Sequence, residues 1–431
     1  MSTTHQVLQS GFSPDAGYFS IDFGTHRAIN PSIIPHPDDN RSWIVTAQLH
    51  EPRKGDEPRL WFAELVCTAT FVPPRARDGG VQTLRCTNPP LILPIAATPS
   101  DSTKCTGDTA FFTLSIGPHD ARVFYGPSGP YTIYGSTSRF TCFGQWMLDF
   151  RLLVDWGLDT INDHGGRFRE PTELQRPRAY RPVEKNWFVF WDADGHSYVH
   201  YEISPTRMFA RLESDGSVGP DLAPLAADAD TACLQQLLPP LPRAFSSSSS
   251  SSSTSPDAAT LVGADHSESI HQATNALSIT LCARADASCV TGPDNTFVLT
   301  IFQHKTFHKL HSTYEPYAML FRGVFPFEVH GVSAKPLWIA GRRTPPPPPP
   351  LPLSSQQQQS SPGQSAEAMR RVKLLESEMI YVTSISWKAH GQGYHGFLDD
   401  VLYLGFGIED SAAGGIDVVA QDLIDGLAFC L

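Results

Sequence analysis

Charge is scarce in this chain of 431 residues: only 18% are Asp, Glu, Lys or Arg, and the 32 basic against 44 acidic residues leave a net −12. With 37 prolines as well, coiled coils and helical arrays are excluded. The negative balance argues against nucleic-acid binding, which needs a basic surface. No apolar run reaches the length of about 18 residues that a membrane-spanning helix requires. Met1 to Gln9 lacks the charged-then-apolar pattern of a signal peptide. The chain is therefore expected to be cytosolic, or to be preceded by an upstream segment.

Familiar catalytic signatures are missing too. None of the eight cysteines forms a C-x-x-C, so a zinc or thioredoxin-like reading fails. No Gly-x-Ser-x-Gly, phosphate-binding loop or dinucleotide glycine pattern is present. His271, His304, His308 and His311 invite a metal reading, but no Glu completes a His-Glu-x-x-His. Neither a metal nor a cofactor is expected. Cys282 with Cys289, and Cys67 with Cys86, are close enough in sequence to close hairpins as disulfides; free buried thiols are the alternative.

What is present reads mostly as strand. Trp43–Leu49, Trp61–Phe71, Ala110–Ile116, Arg122–Tyr125, Tyr131–Tyr134, Trp187–Trp191, Ser197–Ile203 and Met208–Leu212 are short and rich in β-branched or aromatic residues. Ala276–Leu281, Thr296–Phe302, Tyr317–Phe321, Met379–Ser386 and Val401–Gly405 continue the series. Glu367–Glu378 is the best helix candidate. Two stretches lack the apolar surface that packing needs: the serine run Ser246–Ser253 and the proline run Pro345–Pro350 with Gln356–Gln359 after it. They are read as long low-complexity insertions at about 217–262 and 342–372.

The strands fall into five groups, each with a polar opening. Asn30-Pro31-Ser32 opens the first and His119-Asp120-Ala121-Arg122 the second. Glu184-Lys185-Asn186-Trp187 opens the third and His271 to Asn275 the fourth. The fifth holds Tyr381–Ser386 and Phe406–Asp410. Such radial repetition predicts an all-β fold, a single five-bladed β-propeller over 1–431. Polar residues at the start of each first strand would converge on one mouth of the central channel.

These motifs resemble the five-bladed propellers of glycoside hydrolase family 130 and the related mannosyltransferases, and a set of fungal proteins carries similar ones. Asp120-Ala121-Arg122 is similar to the family's Asp-Pro-Arg, with Ala121 in place of the proline. Glu184-Lys185-Asn186-Trp187, Tyr201-Glu202-Ile203-Ser204-Pro205, Phe327–Ser333 and Phe406–Asp410 resemble later motifs in the same order. The resemblance implies that Asp120 is the general acid or base acting on a glycosidic oxygen. Relatives that use phosphate carry basic residues where Glu202 stands, so phosphorolysis ranks below hydrolysis or transfer.

The individual residues leave alternatives open. Asp120 could instead be a turn residue bonding its own backbone. Arg122 suits either a sugar hydroxyl or a structural ion pair. Glu184, Lys185, Asn186 and Trp187 suit a sugar site with an aromatic platform, or a buried Trp behind a solvated charge pair. His271 and Asn275 are candidates for sugar hydroxyls, and Tyr314 for the channel mouth. Asp410, beside Glu409, is a second acidic group, either a water-activating carboxylate or a brace at the propeller's closure. The resulting expectation is a glycan-active propeller acting on a mannoside-type oligosaccharide or glycoconjugate by transfer or hydrolysis. The alternatives are a non-catalytic glycan-binding propeller and a scaffold recruiting partners through the proline-rich loop. The even cysteine count suits a secretory compartment if an anchor or signal lies upstream.

Overall fold

The computed structural model describes residues 4–50, 60–73, 82–98, 103–154, 166–239, 266–308, 311–344 and 377–430. Strands dominate them, and they pair as five antiparallel meanders. The first runs Ala28–Pro35, Trp43–Leu49, Glu64–Val72 and Thr83–Cys86. The second runs His119–Gly126, Gly129–Thr137, Phe143–Asp149 and Thr172–Glu173. The third is Phe188–Trp191, Ser197–Glu202 and Met208–Leu212. In the fourth, His266–Gln272 and Leu277–Thr280 share one partner, Thr296–His308, followed by His311–Arg322 and Val329–Ser333. The fifth is Ile380–Trp387, Val401–Ile408 and Ala412–Val419.

Side-chain bonds between the innermost segments close these meanders into a ring. Val123 N–H donates to Ser32 Oγ at 3.1 Å, joining the second to the first. Arg122 donates to Asn186 Oδ1 at 2.7 Å and to the Trp187 carbonyl at 3.3 Å, joining second to third. Gln272 Nε2 donates to the Tyr201 carbonyl at 2.8 Å, joining third to fourth. Asn275 Nδ2 donates to the Ile385 carbonyl at 2.9 Å, joining fourth to fifth. Thr383 and Ser384 hydroxyls both donate to the Pro31 carbonyl at 2.8 Å, returning from fifth to first. The strand Phe19–Asp22 lies between Ala412–Val419 and Thr83–Cys86, so an early and a late segment of the chain share one sheet. This cyclic order of sheets around an axis is an all-β propeller.

Alternating strand faces supply the core between neighbouring sheets. Trp387, Leu404, Ile385 and Leu320 pack in one cluster, and Phe188, Phe209, Phe302 and Phe321 in another. All eight cysteines are paired: Cys67–Cys86, Cys105–Cys142, Cys233–Cys430 and Cys282–Cys289. Two of these are the pairings that short spacing suggested.

Three sequence expectations change. Ala110–Ile116 is a 3-10 helix, Gly107–Leu114, before a two-residue strand. There the hydroxyls of Thr109 and Thr113 donate to carbonyls three residues back, which favours a tight turn over a ladder. The stretch from 217 is not all insertion. It includes the helix Ala227–Leu237, which buries Asp230, Cys233 and Leu234. Asp230 pairs with the buried Arg207 at 2.8 Å, and Cys233 ties the helix to Cys430. Residues 342–344 are also integrated: Arg342 is buried and donates to the Glu378 carbonyl at 2.7 Å. The serine run, the proline run and residues 367–376 of the proposed helix lie outside the described residues.

Candidate active site

Three of the five innermost strands slip register where their polar motif stands. Ile29 faces Gln48 but Ser32 faces Thr46, so Asn30-Pro31 forms a bulge. His119 faces Gly135 but Arg122 faces Ile133, so Asp120-Ala121 forms another. A third falls at Thr383. Bulges kink a strand and redirect a side chain, here toward the axis. Asn30, Asp120 and Asn186 have φ of 55°, 50° and 65°. Asn and Asp tolerate this left-handed region better than other residues with a Cβ.

Asp120 is exposed and accepts a 2.7 Å hydrogen bond from Asn30 Nδ2. Its bulge is clamped from the first meander by two cross-strand neighbours, Gln48 and Glu64. Gln48 Oε1 accepts the Asp120 N–H at 2.9 Å, and Glu64 Oε1 accepts the Ala121 N–H at 3.1 Å. Asp120 is therefore not a turn bonding its own backbone; another sheet holds that backbone. A proline at 121 would have no N–H for Glu64. Glu64 is fully buried, and its Oε2 has no partner. Burial pushes its carboxyl well above the usual range, the Ala121 bond opposes that, and the nearby Asp120 charge adds to it.

A cavity of about 70 Å³ beside Asp120 is lined by His119, Arg122, Gln145, Lys185 and Asn186, among others. A neighbouring cavity of about 210 Å³ shares Lys185 and Asn186 and includes His271 and Gln272. Burial lowers His119 to about 4, with Asp120 opposing the shift and Lys185 adding to it. Asp410, in the turn after Val401–Ile408, is raised by desolvation and then by the charge of Asp120. Tyr314 and Tyr381 meet edge to face at 4.8 Å. Tyr314 is raised first by burial, then by Asp410. Roomier grooves lie elsewhere: about 680 Å³ along Ala227–Leu237, and about 760 Å³ beside Phe140 and Glu170. Neither collects polar groups from several meanders as the axial depression does.

The structure thus brings together Asp120, Arg122, Lys185, Asn186, His271, Tyr314 and Asp410. It withdraws three predicted residues. Glu184 is buried against Arg176 and accepts the Arg181 N–H at 2.6 Å. Trp187 is 1% exposed and packs edge-on against Tyr201, so it is core and not a sugar platform. Asn275 is 0% exposed, and its amide bonds both main-chain groups of Ile385. Arg122 is a buried brace between meanders. Glu202 is paired with Arg176 at 2.9 Å and with Arg181 at 2.7 Å, so its charge is compensated and the repulsion expected against phosphate loses its basis. The brace at the fifth meander is Glu409, which accepts the Met379 N–H at 2.6 Å. Asn30 and Tyr381 could have been picked out by their place in the group openings. Gln48 and Glu64 had no signal, since each lies inside an ordinary strand.

No family model matches this chain, and no curated protein matches it by sequence. Among solved structures, a β-1,2-mannobiose phosphorylase from Listeria innocua aligns over 95% of this chain and 93% of its own, at 11% identity and a TM-score of 0.43. A glycosyl hydrolase from Bacteroides ovatus aligns over 97% and 92%, at 10% identity and a TM-score of 0.38. A thermostable family-43 glycoside hydrolase aligns over 93% and 91%, at 9% identity and a TM-score of 0.34. These are similarities in shape, and the functional reading rests on the site itself.

Proposed function

We propose that this chain is a five-bladed propeller, each meander one blade, that binds and processes a glycan in its axial depression. The observation that carries this reading is the held carboxylate. Asp120 is exposed at the axis, oriented by Asn30, with its backbone fixed by Gln48 and Glu64. A glycosidic oxygen needs a proton delivered or removed in the transition state, and a carboxyl on a rigid support does this best. Asp410, whose neutral form is favoured by its surroundings, supplies a second carboxyl across the same depression. Lys185, Asn186, His271 and Tyr314 offer donors and acceptors for sugar hydroxyls.

In this reading Asp120 exchanges the proton at the bridging oxygen while the polar wall fixes the sugar. The mannoside preference follows from the motif resemblance, and because Glu202 is paired with Arg176 and Arg181, phosphorolysis stands beside hydrolysis and transfer in the test. The test is a panel of mannosides assayed with and without phosphate and nucleotide sugars, using wild type and Asp120→Asn. We expect turnover to fall about 10²–10⁴-fold in Asp120→Asn while sugar affinity survives. Sugar binding without turnover in either protein would instead identify a glycan-binding propeller. Loss of a partner, with sugar binding intact, after deletion of 345–376 would support the scaffold alternative.

A further inference from the structure

One flank of the depression carries positive charge that its neighbours leave unanswered. Lys185 is exposed and lines both cavities. On the fourth meander, Lys305 faces Ser269 on one side and Tyr314 on the other. His271 lies two residues from Ser269 on the same strand face, and its Nε2 is 2.8 Å from Ser269 Oγ. Lys305 Nζ sits 5.6 Å from the Tyr314 ring centroid. Lys305, His271 and Tyr314 therefore share one surface, facing Lys185.

The carboxylates on that side are already engaged. Glu184 is held by Arg176, and Glu202 by Arg176 and Arg181. Among the described residues neither Lys185 nor Lys305 has an ion-pair partner. Lys305 is held below the usual lysine range first by burial and then by the charge of Lys185, with Asp410 opposing. His271 is lowered to about 4 by burial, then by Lys305 and Lys185. A half-buried ammonium beside a second one in a concave polar site is stabilised by an incoming anion.

We propose that Lys185 and Lys305 bind an oxyanion carried by the glycan itself, a carboxylate or a phosphate ester on the sugar. This rests on the glycan reading and narrows its substrate class. The anion is placed on the sugar because Asp120 and Asp410 stand on the other flank of the same depression and oppose an anion free to reach them. A sugar ring offers its hydroxyls to the acidic flank and its charge to the basic one. Neutral His271 and the Tyr314 hydroxyl complete the donors around the oxyanion.

The experiment is calorimetric titration of the full chain with methyl mannoside, methyl mannuronoside, mannose 6-phosphate and inorganic phosphate alone. We expect at least one charged sugar to bind about tenfold or more tighter than methyl mannoside, with the advantage shrinking as salt is added. The carboxylate and phosphate-ester arms show which anion is preferred. Lys185→Gln and Lys305→Gln should each bring the charged sugar down toward the neutral one, and Lys185→Arg should largely restore it. Thermal melts of these variants should match wild type, since neither lysine holds the fold together. Equal binding of charged and neutral sugars, or lysine variants that keep the preference, would overturn the proposal and leave the glycan reading standing. Inorganic phosphate binding as tightly as the phosphorylated sugar would overturn it as well. Binding of no sugar at all would overturn both.

Discussion

At the scale of single residues, the site depends on main-chain amides held by side chains from another sheet. Glu64 is the clearest case. Its folded form favours the proton, so its contribution to stability is fully present below its ordinary value of 4.5 and is lost as pH rises toward its elevated folded value. Glu64→Gln keeps an acceptor for the Ala121 N–H without the ionisable group. Its melting temperature relative to wild type should therefore rise between pH 4 and pH 7; a pH-independent difference would refute the assignment. Glu64→Leu leaves the Ala121 amide unsatisfied and should cost about 1–3 kcal/mol in a denaturant titration. Glu315 behaves with the opposite sign. Burial alone would raise it, but hydrogen bonds and charge from His304 and His5 hold it at about 2. Its stabilisation is present above the ordinary 4.5 and is lost as pH falls toward about 2. Glu315→Gln should destabilise at pH 5 and converge on wild type in acid, as followed by melts across that range.

At the scale of elements, the bulges and the glycines opposite them set the depression's shape. Gly407 lies against Asn30, and a Cβ there would run into Asn30 Oδ1. Gly407→Ala should displace Asn30, costing about 1–3 kcal/mol of stability by overpacking. Because Asn30 orients Asp120, turnover should fall further than the stability loss alone explains, a comparison of kcat at temperatures where the variant is fully folded. The strands themselves were legible from their β-branched and aromatic runs and their Gly, Pro and Asp boundaries. The face each side chain takes was less so. Trp187, just before Phe188–Trp191, packs against Tyr201, and Asn275, between two strands that share one partner, is bonded to Ile385, so both residues read as site residues are buried by contacts with distant parts of the chain. The helix Ala227–Leu237 was hidden for a related reason: its stability comes from docking Cys233, Leu234 and Asp230 onto other sheets.

At the scale of the whole molecule, four disulfides accompany the ring. We read them as a sign of folding in an oxidising compartment. Cys233–Cys430 spans 197 residues and joins the helix to the C-terminal strand region. Replacing both cysteines with serine should lower stability by about 2–5 kcal/mol, measurable by denaturant titration under non-reducing conditions. Loss on that scale in the double variant, with the other three bridges intact, would mark this long-range tie as the one that fastens the ring's edge.

The sequence by itself determined the all-β character, the five polar openings and the candidacy of Asp120, because strand propensity and turn chemistry are local properties. Only the tertiary structure decided which of those polar groups meet. The clamp of Gln48 and Glu64 on the Asp120 bulge, the pairing of Glu202 with two arginines and the unpaired flank of Lys185 and Lys305 all join residues far apart along the chain or on separate strands and connections. Such contacts depend on register, bulge position and ring closure. A one-dimensional pattern does not encode these separately from the packing that selects them.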